Sequence, residues 1–136
     1  MIIDTSALIA ASHQERGWET LREAMLGEAG LIPAPVIVEL YRVTGDDNNQ
    51  PDVDVVALLD LITSLKTAIE PFNACDAQAA VTANALYGSG NRKGGTLNML
   101  DLMVYGMAKA RSLPILFAGN DFPTTDALIH PASRIG

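Results

Sequence analysis

Short apolar runs alternate along this chain with longer stretches whose apolar residues recur at helical spacing. Met1-Ile2-Ile3 is a continuous apolar run ended by Asp4, so residues 1–4 read as a short buried strand. Residues 5–12 read as a helix that Thr5 or Ser6 could cap, and a second helix is expected from about Trp18 to Glu28. Gly30 to Pro33 reads as a strand with Leu31-Ile32 at its centre, and Pro35 suits the first turn of a helix running to about Val43. The polar segment Gly45 to Pro51 is a loop, followed by a helix from about Val53 to Leu65. Thr67 to Glu70 reads as a third strand, residues 75–87 as an Ala-rich helix, Gly88 to Gly95 as a flexible loop, and residues 97–111 as another helix. Pro114 opens a buried strand, Ile115-Leu116-Phe117, that ends at Gly119-Asn120-Asp121, and Leu128-Ile129 offers a last edge strand.

Strands separated by helices imply an α/β fold, a parallel sheet covered by helices on both faces. Ligands gather at the carboxyl ends of the strands in such folds, where Asp4 and Asp121 stand. At 136 residues, with no repeat and no long linker, residues 1–136 read as a single domain.

Composition narrows the function. The net charge of −7 argues against a general nucleic-acid binder with a broad basic face, though not against a nuclease whose clustered acids are neutralised by metal. One cysteine, Cys75, excludes an intrachain disulfide, suits a reducing cytoplasm and reads as a small buried residue. No apolar stretch reaches about 18 residues without a charge, so no transmembrane helix is expected. No basic, apolar leader precedes Asp4, so no secretory signal is expected either.

Four acids occupy awkward positions. Asp4 and Asp121 follow strands. Glu39 lies at the edge of the stripe of Val36, Leu40 and Val43, and Asp101 lies within the arc of Leu97, Val104 and Ala108. Each alone has an ordinary explanation: a helix cap, a turn, or a partner arginine. Together, brought to one sheet edge, they would repel one another, and a divalent cation is the simplest compensation. Hard oxygen donors suit magnesium or manganese, which points to a metal-dependent enzyme acting on phosphate esters.

The motifs are also recognisable. Ile2-Ile3-Asp4-Thr5-Ser6-Ala7-Leu8, Val36-Ile37-Val38-Glu39-Leu40, Leu97 to Ala108 around Asp101, and Phe117-Ala118-Gly119-Asn120-Asp121-Phe122 resemble, in order, the four acidic segments of PIN-domain proteins. The compact length resembles the VapC-type toxins of toxin–antitoxin pairs. The resemblance implies a three-layer α/β/α sandwich with a four- or five-stranded parallel sheet. It implies an endoribonuclease dependent on Mg2+ or Mn2+, the toxin of a type II system. It carries metal-binding roles onto Asp4, Glu39, Asp101 and Asp121, and supporting or substrate-contacting roles onto Thr5, Ser6 and Asn98, with Asp126 as a further acid of the site. It also implies a homodimer and a cognate VapB-like antitoxin whose peptide covers the site and sets an arginine against the acids. Leu100 and Leu102 flank Asp101 where the family commonly has small or polar residues.

Other features are weaker. Arg92 and Lys93, in the glycine-rich loop, are candidates to touch RNA phosphates, ahead of Arg42 and Arg16. That loop lacks the Lys-Ser/Thr ending of a phosphate-binding P-loop. His13 and His130 read as surface or loop residues, and Met99, Met103 and Met107 as core or dimer contacts. Two other functions fit the pattern: a PIN-like binding or regulatory module without catalysis, and a receiver-like phosphoacceptor. The first has no need of four intact acids. The second lacks a lysine after the late strand, since Phe117 to Phe122 contains none.

Overall fold

The computed structural model describes residues 1–136. Its first half runs β1 (Ile2–Ile3), α1 (Thr5–Ser12), α2 (Trp18–Gly27), β2 (Leu31–Pro33), α3 (Ala34–Thr44) and α4 (Val53–Thr63). The second half runs β3 (Ala68–Glu70), α5 (Ala74–Tyr87), α6 (Met99–Arg111), β4 (Ile115–Leu116), β5 (Ala118–Gly119) and β6 (Arg134–Ile135).

A strand buried on both faces needs an apolar residue at every position, not at alternate ones. Ile2, Ile3, Ile32, Ile115 and Leu116 meet that need, being fully buried. They build a four-stranded parallel sheet in the order β3-β2-β1-β4. Ile2 lies opposite both Leu31 and Ile115, and Ile3 opposite Leu116. β3 closes one edge, with Ala68 and Ile69 exposed. The chain steps from β1 outward to β3, then returns to place β4 on the other side of β1. Strand order reverses between β1 and β4, which is where a parallel sheet opens a crevice at its carboxyl end.

α1 packs on α2 and α4, α5 lies along α6, and α3 touches both α1 and α6. The close approach of α5 and α6 depends on Gly106, where a Cβ would come within 2.5 Å of the Asp76 carbonyl oxygen. A cluster of 25 buried apolar residues fills the interior.

Several expectations need correction. Ile129 makes only an isolated parallel bridge to Ile115; the last strand is Arg134–Ile135, which pairs in parallel with β5. Two-residue strands carry no periodicity and are set by what they pair with. The helix expected from residue 97 starts at Met99: Leu97 is buried and bridges to Gly88, and Asn98 caps α6. Cys75 is exposed, because it sits in the first turn of α5 on its outer side. His130 lies in a loop but is buried: its Nε2 is 3.1 Å from Glu28 Oε2, and its Nδ1 accepts from the Ala132 amide. Of the three methionines, Met107 is in the core, Met103 is half-buried and Met99 is exposed.

Candidate active site

Asp4 leaves β1 at its carboxyl end and becomes the N-cap of α1. Its Oδ2 accepts the Ser6 amide at 3.0 Å and the Ser6 hydroxyl. Its own amide is tied to Leu116 of β4 at 3.0 Å, so the sheet fixes where the carboxylate sits. Asp4 is only 6% exposed. Burial pushes its carboxyl up to about 6 from 3.8; the Ser6 hydrogen bonds oppose this, and the nearby Glu39 charge adds to it. Glu39, half-buried on α3, accepts from the hydroxyl of Thr5, a buried residue beside Asp4.

Asp101 is the third residue of α6 and forms a reciprocal cap with Asn98. Its Oδ2 accepts the Asn98 amide at 2.9 Å, and Asn98 Oδ1 accepts the Asp101 amide at 3.0 Å. Burial raises its carboxyl to about 7, the Asn98 amide opposes the rise, and the charges of Asp4, Asp121 and Glu39 add to it. Asp101 therefore feels all three other acids. Asp121 stands exposed just past β5, where the chain turns through Gly119 at φ +136°, a backbone conformation that glycine alone adopts without strain.

No lysine, arginine or histidine pairs with any of these four acids; every ion pair in the molecule lies elsewhere. This disposes of the arginine-partner explanation for Glu39 and Asp101. As the side chains stand, no group of three or more His, Cys, Asp or Glu is placed to hold a metal ion. The donor chemistry nevertheless fits a hard divalent cation. Carboxylates gathered without a counter-charge are costly to keep together, and an ion that keeps several of its waters needs few direct protein ligands.

Asp126 does not join the cluster. The Tyr105 hydroxyl and Lys109 Nζ (2.6 Å) both hold it, and Lys109 first, then Tyr105, keep its carboxyl below the usual range. Arg92 and Lys93 are exposed at the tip of the 88–95 loop, outside every ion pair. A cavity of about 500 Å³, lined by residues of α1, α2 and α4 with His13 and Gln14, contains none of the four acids. The acids' chemistry, not cavity size, marks the candidate site.

A family model for the PIN domain matches residues 1–128. The chain belongs to the PIN-domain family. Within it, the chain is 34% identical to ribonuclease VapC42 of Mycobacterium tuberculosis over 97% of its own length and 98% of that protein. It is 34% identical to ribonuclease VapC36 of the same organism, over 93% and 90%. Among solved structures, this PIN domain superposes on a toxin–antitoxin complex from Klebsiella pneumoniae with TM-score 0.68 at 17% identity, covering 96% of each chain. It superposes on VapBC2 from Rickettsia felis, bound to a promoter DNA fragment, with TM-score 0.66 at 16% identity over 99% and 96%. These likenesses fit the parallel sheet expected for a PIN domain.

Two features of this PIN domain escaped the sequence. Ser6 does more than cap: its Oγ donates to Asp4 and accepts the Ala118 amide of β5 at 3.1 Å, joining two site segments 112 residues apart. Asp76 is fully buried and bound by Arg111, which also reaches Glu70 at 3.1 Å. The Asn73-x-x-Asp76 spacing of a capping box was a usable signal for the second; nothing local announced the first.

Proposed function

We propose that this PIN domain is a metal-dependent endoribonuclease and the toxin of a toxin–antitoxin pair, with residues 1–136 acting as one nuclease domain. The observation that carries the reading is the set of four acids, Asp4, Glu39, Asp101 and Asp121, within electrostatic reach of one another and without a protein counter-charge. The relatives named as VapC ribonucleases, aligned over nearly the whole chain, support the substrate class. They disfavour an inactive binding module.

Asp4, Asp101 and Asp121 would hold Mg2+ or Mn2+, with Glu39 serving a second ion or orienting water. When bound, such an ion supplies charge neutralisation at the phosphate and a lower pKa for water. The chain's own residues prepare the place. Ser6 holds Asp4, Thr5 holds Glu39, and the Asn98 cap holds Asp101, which limits the conformational freedom these carboxylates would lose on receiving a cation. Attack by water leaves 5′-phosphate and 3′-hydroxyl ends; 2′,3′-cyclic phosphates would instead indicate attack by the RNA's own 2′-hydroxyl.

Arg92 and Lys93 are the only adjacent cations in the chain, on the loop that leads into the Asn98 cap, and they bind RNA phosphates in this reading. A VapB-like antitoxin and a homodimer complete it; the solved toxin–antitoxin complexes of the same fold support the partner. The test incubates total cellular RNA with antitoxin-free wild type, Asp4→Asn and Asp101→Asn in Mg2+, Mn2+ or EDTA, and maps the ends. Metal-dependent cuts at defined sites, lost in both variants, are expected. A well-folded wild type that cuts nothing would return the inactive binding module to first place.

A further inference from the structure

β5 is the strand that delivers Asp121, and it is only two residues long. It is held from both sides. On one side the Ser6 hydroxyl takes the Ala118 amide while donating to Asp4. On the other lies β6, pairing Arg134 with Ala118 and Ile135 with Gly119. The Arg134 amide donates to the Phe117 carbonyl at 2.9 Å, and the Phe117 amide donates to Ser133 Oγ at 3.2 Å. Phe117 and Phe122, both buried and packed edge-on at 5.2 Å, bracket the turn that carries Asp121.

The Arg134 side chain also ties β6 to the α1–α2 turn. Its guanidinium donates to the Arg16 carbonyl and to Glu15 Oε2, each at 2.8 Å, reaching the α1–α2 turn across 118 residues of sequence. Its Nε is buried with no partner, an orphaned donor that the two guanidinium bonds must offset. The turn itself accommodates the arm: Gly17 at φ +82° faces Arg134 Cδ. Arg134 and the rest of β6 lie beyond residues 1–128, the span the PIN family model matches, while the turn they grip lies within it.

We infer that Arg134 is a positioning residue for Asp121: it pins β6 to the α1–α2 turn, β6 fixes β5, and β5 sets Asp121 against the Asp4–Asp101 pair. The inference rests on Asp121 being a metal ligand, and outer partners of metal ligands typically change affinity by 10–100-fold when removed.

The test measures Mn2+ affinity by calorimetry for wild type, Arg134→Ala, Arg134→Lys, Glu15→Gln and Asp121→Asn. Amide exchange and resonances are followed by NMR in the same proteins. Arg134→Ala should weaken Mn2+ about tenfold, with cleavage recovered at saturating metal. The Phe117 amide should exchange faster and the Asp121 resonance should move, while the Asp4 amide in the main sheet keeps its protection. Arg134→Lys should restore part of the affinity. Glu15→Gln tests the same clasp if Arg134→Ala folds poorly. Unchanged affinity in both Arg134→Ala and Glu15→Gln, with Asp121→Asn weakened, overturns the inference. If wild type binds no Mn2+, the metal reading has failed separately. The inference is then judged by the Asp121 resonance, and a signal unmoved in both variants overturns it.

Discussion

Asp4 and Asp101 keep protons that an exposed aspartate would shed. Burial is the main cause for both, raising one carboxyl to about 6 and the other to about 7 from 3.8. In the unfolded chain both ionise near their ordinary value. Raising the pH of metal-free protein from about 4 to about 7 therefore strips protons from the unfolded state first. Stability from these groups is fully present below pH 4, falls through that window, and is flat above it. Asp4→Asn removes one such penalty, so in EDTA at pH 8 it should unfold at higher urea than wild type, by on the order of 2 kcal/mol, and the gap should vanish near pH 4. A wild type–variant difference that does not change with pH would defeat this account. Asp126, by contrast, is already neutralised by Lys109, so Asp126→Asn should leave Mn2+ affinity unchanged. Asp4, Glu39 and Asp101 were legible in the sequence because each ends or interrupts an apolar pattern, and Asp121 because it follows a strand. Asp126 was misplaced because sequence order says nothing about which cation a side chain reaches.

α6 carries Asp101 near its start, and its seat on α5 is set farther along. Gly106→Ala would drive a methyl into the Asp76 carbonyl at 2.5 Å. Overpacking costs about 1–3 kcal/mol, which outweighs the gain of up to about 1 kcal/mol in helix propensity. Denaturant unfolding should show a net loss. Arg111→Ala should be worse, by roughly 3–5 kcal/mol, because it strands a carboxylate with no exposed surface. The double variant Arg111→Ala/Asp76→Ala should recover part of that, and equal losses in single and double variants would deny the pairing. Helices were legible here because their apolar spacing repeats over three turns. The start of α6 was placed two residues early because Leu97 is apolar for a different reason, its bridge to Gly88.

At the scale of the molecule, the proposed function asks a chain of net charge −7 to hold a polyanion. Lys109, Arg111 and Arg134 are spent on internal ion pairs, which leaves Arg92 and Lys93 as the one free cationic doublet. In Asp4→Asn protein, which the proposed mechanism makes inactive, Arg92→Ala/Lys93→Ala should weaken RNA binding. It should also flatten the plot of log affinity against log salt by about 0.7 for each phosphate that the loop neutralises in the wild type. An unchanged slope would show that this loop does not touch the backbone. No helix is long and apolar enough to cross a membrane, in line with the absence of such a run in the sequence.

Local physics determined most of what can be read from this chain alone. Continuous apolar runs mark buried parallel strands, helical spacing marks the helices between them, and a carboxylate that interrupts either pattern is costly enough to require a reason. Those features yielded the α/β architecture, the parallel sheet and the four acids. Only the tertiary structure decided which groups stand beside those acids: Ser6 between Asp4 and β5, Lys109 rather than the site beside Asp126, Arg134 reaching back to Glu15. Such pairings join residues far apart in the chain. Their free energy depends on distance and burial, neither of which any local pattern encodes.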